Sequence, residues 1–103
     1  MRIMFIGKRT DLSKVDAEME RLIEKSGIYL FDVVCDSGHF KDSLGEDYAE
    51  LRGAPVVYEK GFDGCAKVAD YAFIVGGSEE RARVIAGRLA KYNVATVRIF
   101  SVN

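Results

Sequence analysis

The sequence predicts an α/β fold: a three-layer sandwich with a mostly parallel five-stranded sheet between two layers of helices. Two observations carry this. Short, unbroken apolar runs such as Ile3–Ile6 and Tyr71–Val75 alternate with longer stretches whose apolar residues recur every three or four positions. The second is Tyr71–Glu80, an apolar run that passes into Gly76-Gly77 and then Ser78-Glu79-Glu80. A buried strand, a glycine turn and a helix start make up the βα unit of a parallel sheet.

The elements follow in order. Arg2–Gly7 is the first strand, with Ile3, Met4, Phe5 and Ile6 suited to cover on both faces. It ends in Gly7-Lys8-Arg9-Thr10-Asp11. Ser13 begins the first helix, and Asp16 completes an approximate capping box. Val15, Met19, Leu22 and Ile23 form its apolar stripe; Glu18, Glu20, Arg21, Glu24 and Lys25 take the wet side. Gly27 suits the position after the helix. Ile28–Cys35 contains the second strand, centred on Phe31–Cys35, which runs into the polar loop Asp36–Asp42. Ser43 and Glu46 match a capping box for the second helix, with Leu44, Tyr48 and Leu51 as its stripe. Gly53 ends it, Pro55 blocks continuation, and Val56–Glu59 is a short third strand.

In Lys60–Asp70, Gly61 and Gly64 loosen the chain, while Cys65, Val68 and Ala69 fit one side of a short helix. Tyr71–Val75 is the fourth strand. Ser78 is the N-cap of a helix over Glu79–Tyr92, whose stripe is Ala82, Ile85, Leu89 and Tyr92. Arg81, Arg83, Arg88 and Lys91 are expected in solvent. Asn93 suits a left-handed helix end, and Val94–Phe100 is the last strand. Strand–helix alternation with right-handed crossovers predicts a Rossmann-like sheet in the order 3-2-1-4-5. No repeat, linker or low-complexity segment interrupts residues 1–103, which read as one domain.

Composition narrows the function. Of the 103 residues, 49% are hydrophobic, enough for a folded core. A net charge of -1 with interspersed signs lacks the basic footprint of a nucleic-acid or anionic-membrane binder. No apolar run approaches the roughly 18–20 residues of a membrane span, nor the h-region of a signal peptide. A cytoplasmic protein is expected. Cys35 and Cys65 lack CxxC spacing and read as reduced, buried thiols. His39, the one histidine, has no metal-ligand spacing around it. Neither G-x-S-x-G nor a Walker A loop is present.

A site follows from the predicted topology. Open doubly wound sheets bind ligands beyond the carboxyl ends of the strands, where the strand order reverses. That point lies between the first and fourth strands. The candidate ligand residues are therefore Gly7, Lys8 and Arg9 after the first strand, Asp36, Ser37 and Gly38 after the second, and Gly76, Gly77 and Ser78 after the fourth. Glycines allow close approach, helix N-termini offer N–H groups, and Arg9 and Lys8 supply positive charge. Such groups suit a phosphate or sugar-phosphate.

The order of these pieces resembles the SLOG superfamily of Rossmann-like domains, and within it the small bacterial and phage domains of the YspA type. The likeness is carried by Met1–Asp11, Asp42–Ala49, Arg52–Val57 and Ala69–Val75. It implies a domain that binds a nucleotide or nucleotide derivative, with the crevice formed by Gly7, Arg9, the Asp36–Asp42 loop and Gly76-Gly77-Ser78. The chain departs from the pattern in three places, one of them the short segment between the third and fourth strands. Asp36-Ser37 and Phe40 stand where such domains carry glycines. Against the P-G-G-x-G-T-x-x-E of the phosphoribohydrolase branch, this chain keeps Gly76-Gly77 but has Val75, Glu79-Glu80 and Arg83. The missing carboxylate argues against that hydrolysis.

Three functions are weighed. The first is a binding module that holds a nucleotide-like small molecule without turning it over and needs no cofactor. The second is an N-glycosidic enzyme, similar to nucleoside deoxyribosyltransferases or phosphoribohydrolases, with Asp36, Asp42, Glu46 and Glu50 as candidate carboxylates. The third is an interaction protein with a degenerate ligand site. Tyr29, Phe40 and Phe62 lie in or beside loops, and an edge strand, Val56–Glu59 or Val94–Phe100, offers a route to a homodimer.

Overall fold

The computed structural model describes residues 1–7, 12–38 and 44–100. Lys8, Arg9, His39, Phe40, Asp42 and Ser43 lie outside the described residues. The elements are β1 (Arg2–Gly7), α1 (Leu12–Ser26), β2 (Asp32–Asp36), α2 (Leu44–Arg52), β3 (Val56–Glu59), α3 (Gly61–Val68), β4 (Tyr71–Val75), α4 (Glu79–Ala90) and β5 (Ala95–Ile99). The sheet has the order β3-β2-β1-β4-β5, and all four neighbouring pairs are parallel. The predicted order 3-2-1-4-5 is therefore the observed one.

Adjacent strand residues point to opposite faces, so each apolar run feeds two cores. Ile3, Val33, Phe73 and Val75 meet Val15, Met19 and Tyr48 of α1 and α2 on one face. Met4, Val34, Ala72 and Ile74 meet Ala66 of α3 and Ala82 and Leu89 of α4 on the other. This two-sided burial explains why the strands read as continuous apolar runs. The short helix anticipated in Lys60–Asp70 is α3, with Cys65 on its buried face.

The first face is tied together by Tyr48, which is fully buried. Its ring lies 5.1 Å from Phe5 and 6.2 Å from Phe31 between centroids, and Phe5 lies 5.1 Å from Phe73. The Tyr48 hydroxyl donates to the Asp16 carboxylate at 2.7 Å, and Arg52 donates to the same oxygen at 2.8 Å and to Glu20. Asp16, read from the sequence as part of a capping box, thus joins α1 to α2.

Two details differ from the sequence reading. Leu51 is 56% exposed rather than part of the α2 stripe. The buried residues of α2 are Leu44, Gly45, Tyr48 and Ala49. At about 100° per residue, Leu51 stands about 90° from the centre of that arc. Gly45 pulls the helix onto this side, since a Cβ there would lie 3.1 Å from the Cys35 sulfur. β2 runs one residue later than the Phe31–Cys35 centre read from the sequence, because the β1–β2 pairing begins only at Arg2↔Asp32.

Candidate functional site

The carboxyl ends of the strands form one rim. Gly7 pairs with Val75 across β1 and β4, and Val75 pairs with Ile99 across β4 and β5. Gly7 and the Gly76-Gly77 turn therefore meet where the strand order reverses. Gly7 has φ +148°, and a Cβ there would fall 2.4 Å from the Val75 carbonyl oxygen. Only glycine lets the two strands approach this closely as β1 leaves the sheet.

Gly76 and Gly77 have φ values of +67° and +74°, and the Gly76 N–H donates to the Ile99 carbonyl at 2.8 Å. The chain then enters α4 through Ser78, whose hydroxyl accepts from the Arg81 N–H at 3.1 Å as an N-cap. The Glu79 and Glu80 N–H groups belong to the first turn, where no intrahelical acceptor exists. That turn ends at the rim.

Arg98 holds this corner. From β5 its guanidinium donates to the carbonyls of Ile74 (3.0 Å), Ile99 (2.8 Å) and Gly77 (3.0 Å) and to the Glu79 carboxylate (3.3 Å). Its side chain is only 18% exposed. The group is occupied as a structural clamp, and it offsets the Glu79 charge at the α4 N-terminus. Sequence reasoning missed this residue. The available signal is a lone cation inside a strand, between Val97 and Ile99.

Asp36 ends β2 and Ser37 and Gly38 follow it, one strand over from Gly7. Asp36 Oδ1 accepts from the Gly38 N–H and the Gly61 N–H, both at 2.9 Å. It closes the loop after β2 and satisfies an orphan donor at the start of α3. The Ser37 N–H donates to the Glu59 carbonyl at 2.8 Å, prolonging the β2–β3 pairing. Cys65 lies below; burial, then the charge of Asp36, pushes its thiol up to about 11. Both cysteines are buried, and no disulfide joins them.

Of the carboxylates weighed for catalysis, Asp36 stands at this rim but is engaged by the Gly38 and Gly61 N–H groups, and Asp42 lies outside the described residues. Glu46 accepts from the Tyr58 hydroxyl at 3.3 Å, and Glu46 and Glu50 line a groove beside β3. Among the described residues no three His, Cys, Asp or Glu side chains converge as a metal site requires. No helix among them is long and apolar enough to cross a membrane. Phe62, expected in or beside a loop, lies in α3 and packs against the α3–α4 core with the Arg88 guanidinium 4.1 Å above its ring. Tyr29 is exposed.

The fold and rim define an open, doubly wound α/β domain with a glycine-lined switch point. No protein-family model, curated protein or solved structure matches this chain.

Proposed function

We propose that this chain is a small cytoplasmic Rossmann-like domain of the SLOG type that binds a nucleotide or nucleotide-derived ligand at the carboxyl rim of its sheet without catalysis. One observation carries the reading: Gly7 and the Gly76-Gly77 turn stand together at the strand-order reversal, beside the first turn of α4. Backbone there can approach a phosphate closely, and the helix dipole favours an anion. Arg98 offsets the acidic Glu79, which would otherwise oppose that anion. Lys8 and Arg9 follow Gly7 directly in the chain and supply the cationic contacts.

The non-catalytic part rests on where the acids go. Asp36 caps α3, while Glu46 and Glu50 line the groove beside β3. The test is native mass spectrometry of the purified chain, followed by thermal melts with a nucleotide panel. A bound ligand near its saturating concentration raises the melting temperature by several degrees. The reading requires that this rise vanish in Arg9→Ala while the unliganded melting temperature holds. Release of free base from a nucleotide, lost in Glu46→Ala, would instead establish the N-glycosidic enzyme.

A second reading has its own support. Ile28, Tyr29 and Leu30 are 45%, 77% and 86% exposed, three consecutive large apolar side chains in the connection from α1 to β2. Such a patch marks an interaction protein. A nucleotide panel without any thermal response, together with a stable complex lost in Tyr29→Ser/Leu30→Ser, would favour it.

A further inference from the structure

β3 forms one edge of the sheet, and among the described residues no strand pairs with its outer side. The Val33 N–H donates to the Pro55 carbonyl, and the Ser37 N–H donates to the Glu59 carbonyl. Residues of a parallel strand turn alternately to either side. Pro55, Val57 and Glu59 therefore face β2, while Val56 and Tyr58 direct their N–H and C=O groups outward. Among the described residues, no bond outside the ladder engages these backbone groups.

Beside that edge lies a groove of about 550 Å³. α2 packs mainly on β1 and β2, so on this face Val56 is only partly covered and Tyr58 is 53% exposed. Ala54, Val56 and Tyr58 form an apolar floor, and Glu46, Asp47 and Glu50 form an acidic wall on α2. No lysine or arginine lines the groove among the described residues. A second copy of the chain is a poor occupant, since edge-to-edge pairing would set two acidic walls beside one joint.

We propose that this edge and groove take an extended basic segment of another protein, which joins the sheet as a strand beside β3. Its main chain bonds the outward groups of Val56 and Tyr58. Alternate side chains of an added strand fall on the groove side, and lysine or arginine there meets Glu46, Asp47 and Glu50. Main-chain bonds supply affinity, and the charged wall selects the sequence and speeds the encounter. The site lies at the β3 edge, two strands from the Gly7 and Gly76-Gly77 corner.

The test titrates the full ¹⁵N-labelled chain with a short peptide alternating lysine and valine. One control replaces lysine by glutamate; another replaces alternate residues by proline. The lysine peptide alone should shift the Val56 and Tyr58 amide signals and slow their exchange with solvent. Its affinity should fall about tenfold in Glu46→Gln/Glu50→Gln, and fall again as salt rises. The exposed single variant Glu50→Gln should lose about threefold, which keeps the test available if the double variant folds poorly. Unmoved Val56 and Tyr58 amides, an equal response to the glutamate peptide, or sedimentation showing a dimer built through β3 would each overturn the proposal.

Discussion

Arg98 donates to the Gly77 carbonyl at 3.0 Å, so the edge strand β5 holds the turn that follows β4. The same guanidinium reaches Ile74, Ile99 and Glu79. Glu79 is more than half exposed, so its ion pair is worth little, whereas the carbonyl contacts lie in a mostly covered site. Arg98→Lys cannot reproduce the planar fork and should cost about 2 kcal/mol in denaturant unfolding. Glu79→Gln should cost less than about 1 kcal/mol. Equal losses in the two variants would show that the ion pair, not the carbonyl clamp, holds the corner.

Gly7→Ala should destabilise the protein by about 2–4 kcal/mol, because a Cβ would press on the Val75 carbonyl at a positive φ. Urea unfolding measures the loss. A loss below about 0.5 kcal/mol would mean that β1 and β4 can separate at the rim without penalty.

Tyr48→Phe removes the hydroxyl that donates to Asp16 and should cost about 1–2 kcal/mol at neutral pH. The substitution should also change the pH dependence. Burial, and then the bond to Asp16, raise the Tyr48 pKa above its ordinary value of 10.0. The folded state therefore binds this proton more tightly than the unfolded state. The resulting stability is fully present below pH 10.0 and declines as pH climbs above it. Wild type should lose up to about 1.4 kcal/mol per pH unit more than Tyr48→Phe in that alkaline range. Parallel stability curves for the two proteins would contradict the placement of this hydroxyl.

The buried thiols should be inert in the native state. Cys65, raised to about 11, carries almost no thiolate at pH 8, and its side chain is covered. Ellman's reagent at pH 8 should label neither Cys35 nor Cys65 within minutes in buffer and both at once in guanidinium chloride. Fast labelling of Cys65 in the native protein would reveal that α3 lifts away from β2.

Much of this architecture was legible from apolar patterning. The runs Ile3–Ile6 and Tyr71–Val75 are central strands, and burial on both faces is what makes them continuous. Ser78 was legible as a cap because the signal is local: a hydroxyl before two acids. Leu51 was misread because helix phase depends on which side approaches the sheet, and Gly45 sets that by close contact with β2. Asp16 and Arg98 lay beyond local reading. Their partners, Tyr48 and Gly77, are distant in sequence and become neighbours only through the crossovers. The rim was placed from strand order alone. The use of Asp36 as the cap of α3 was invisible because Gly61 is brought to it by β3 pairing.

The central position of β1 bears on how the polypeptide matures. This strand is made first, yet one flank stays bare until β4 has emerged from the ribosome. A nascent chain ending before Tyr71 can pair β1 only with β2, and on the α3–α4 side Met4 and Val34 have α3 alone to cover them. Completion of the central ladder is therefore a late, long-range event, and premature termination leaves a sticky half-sheet rather than a smaller stable unit.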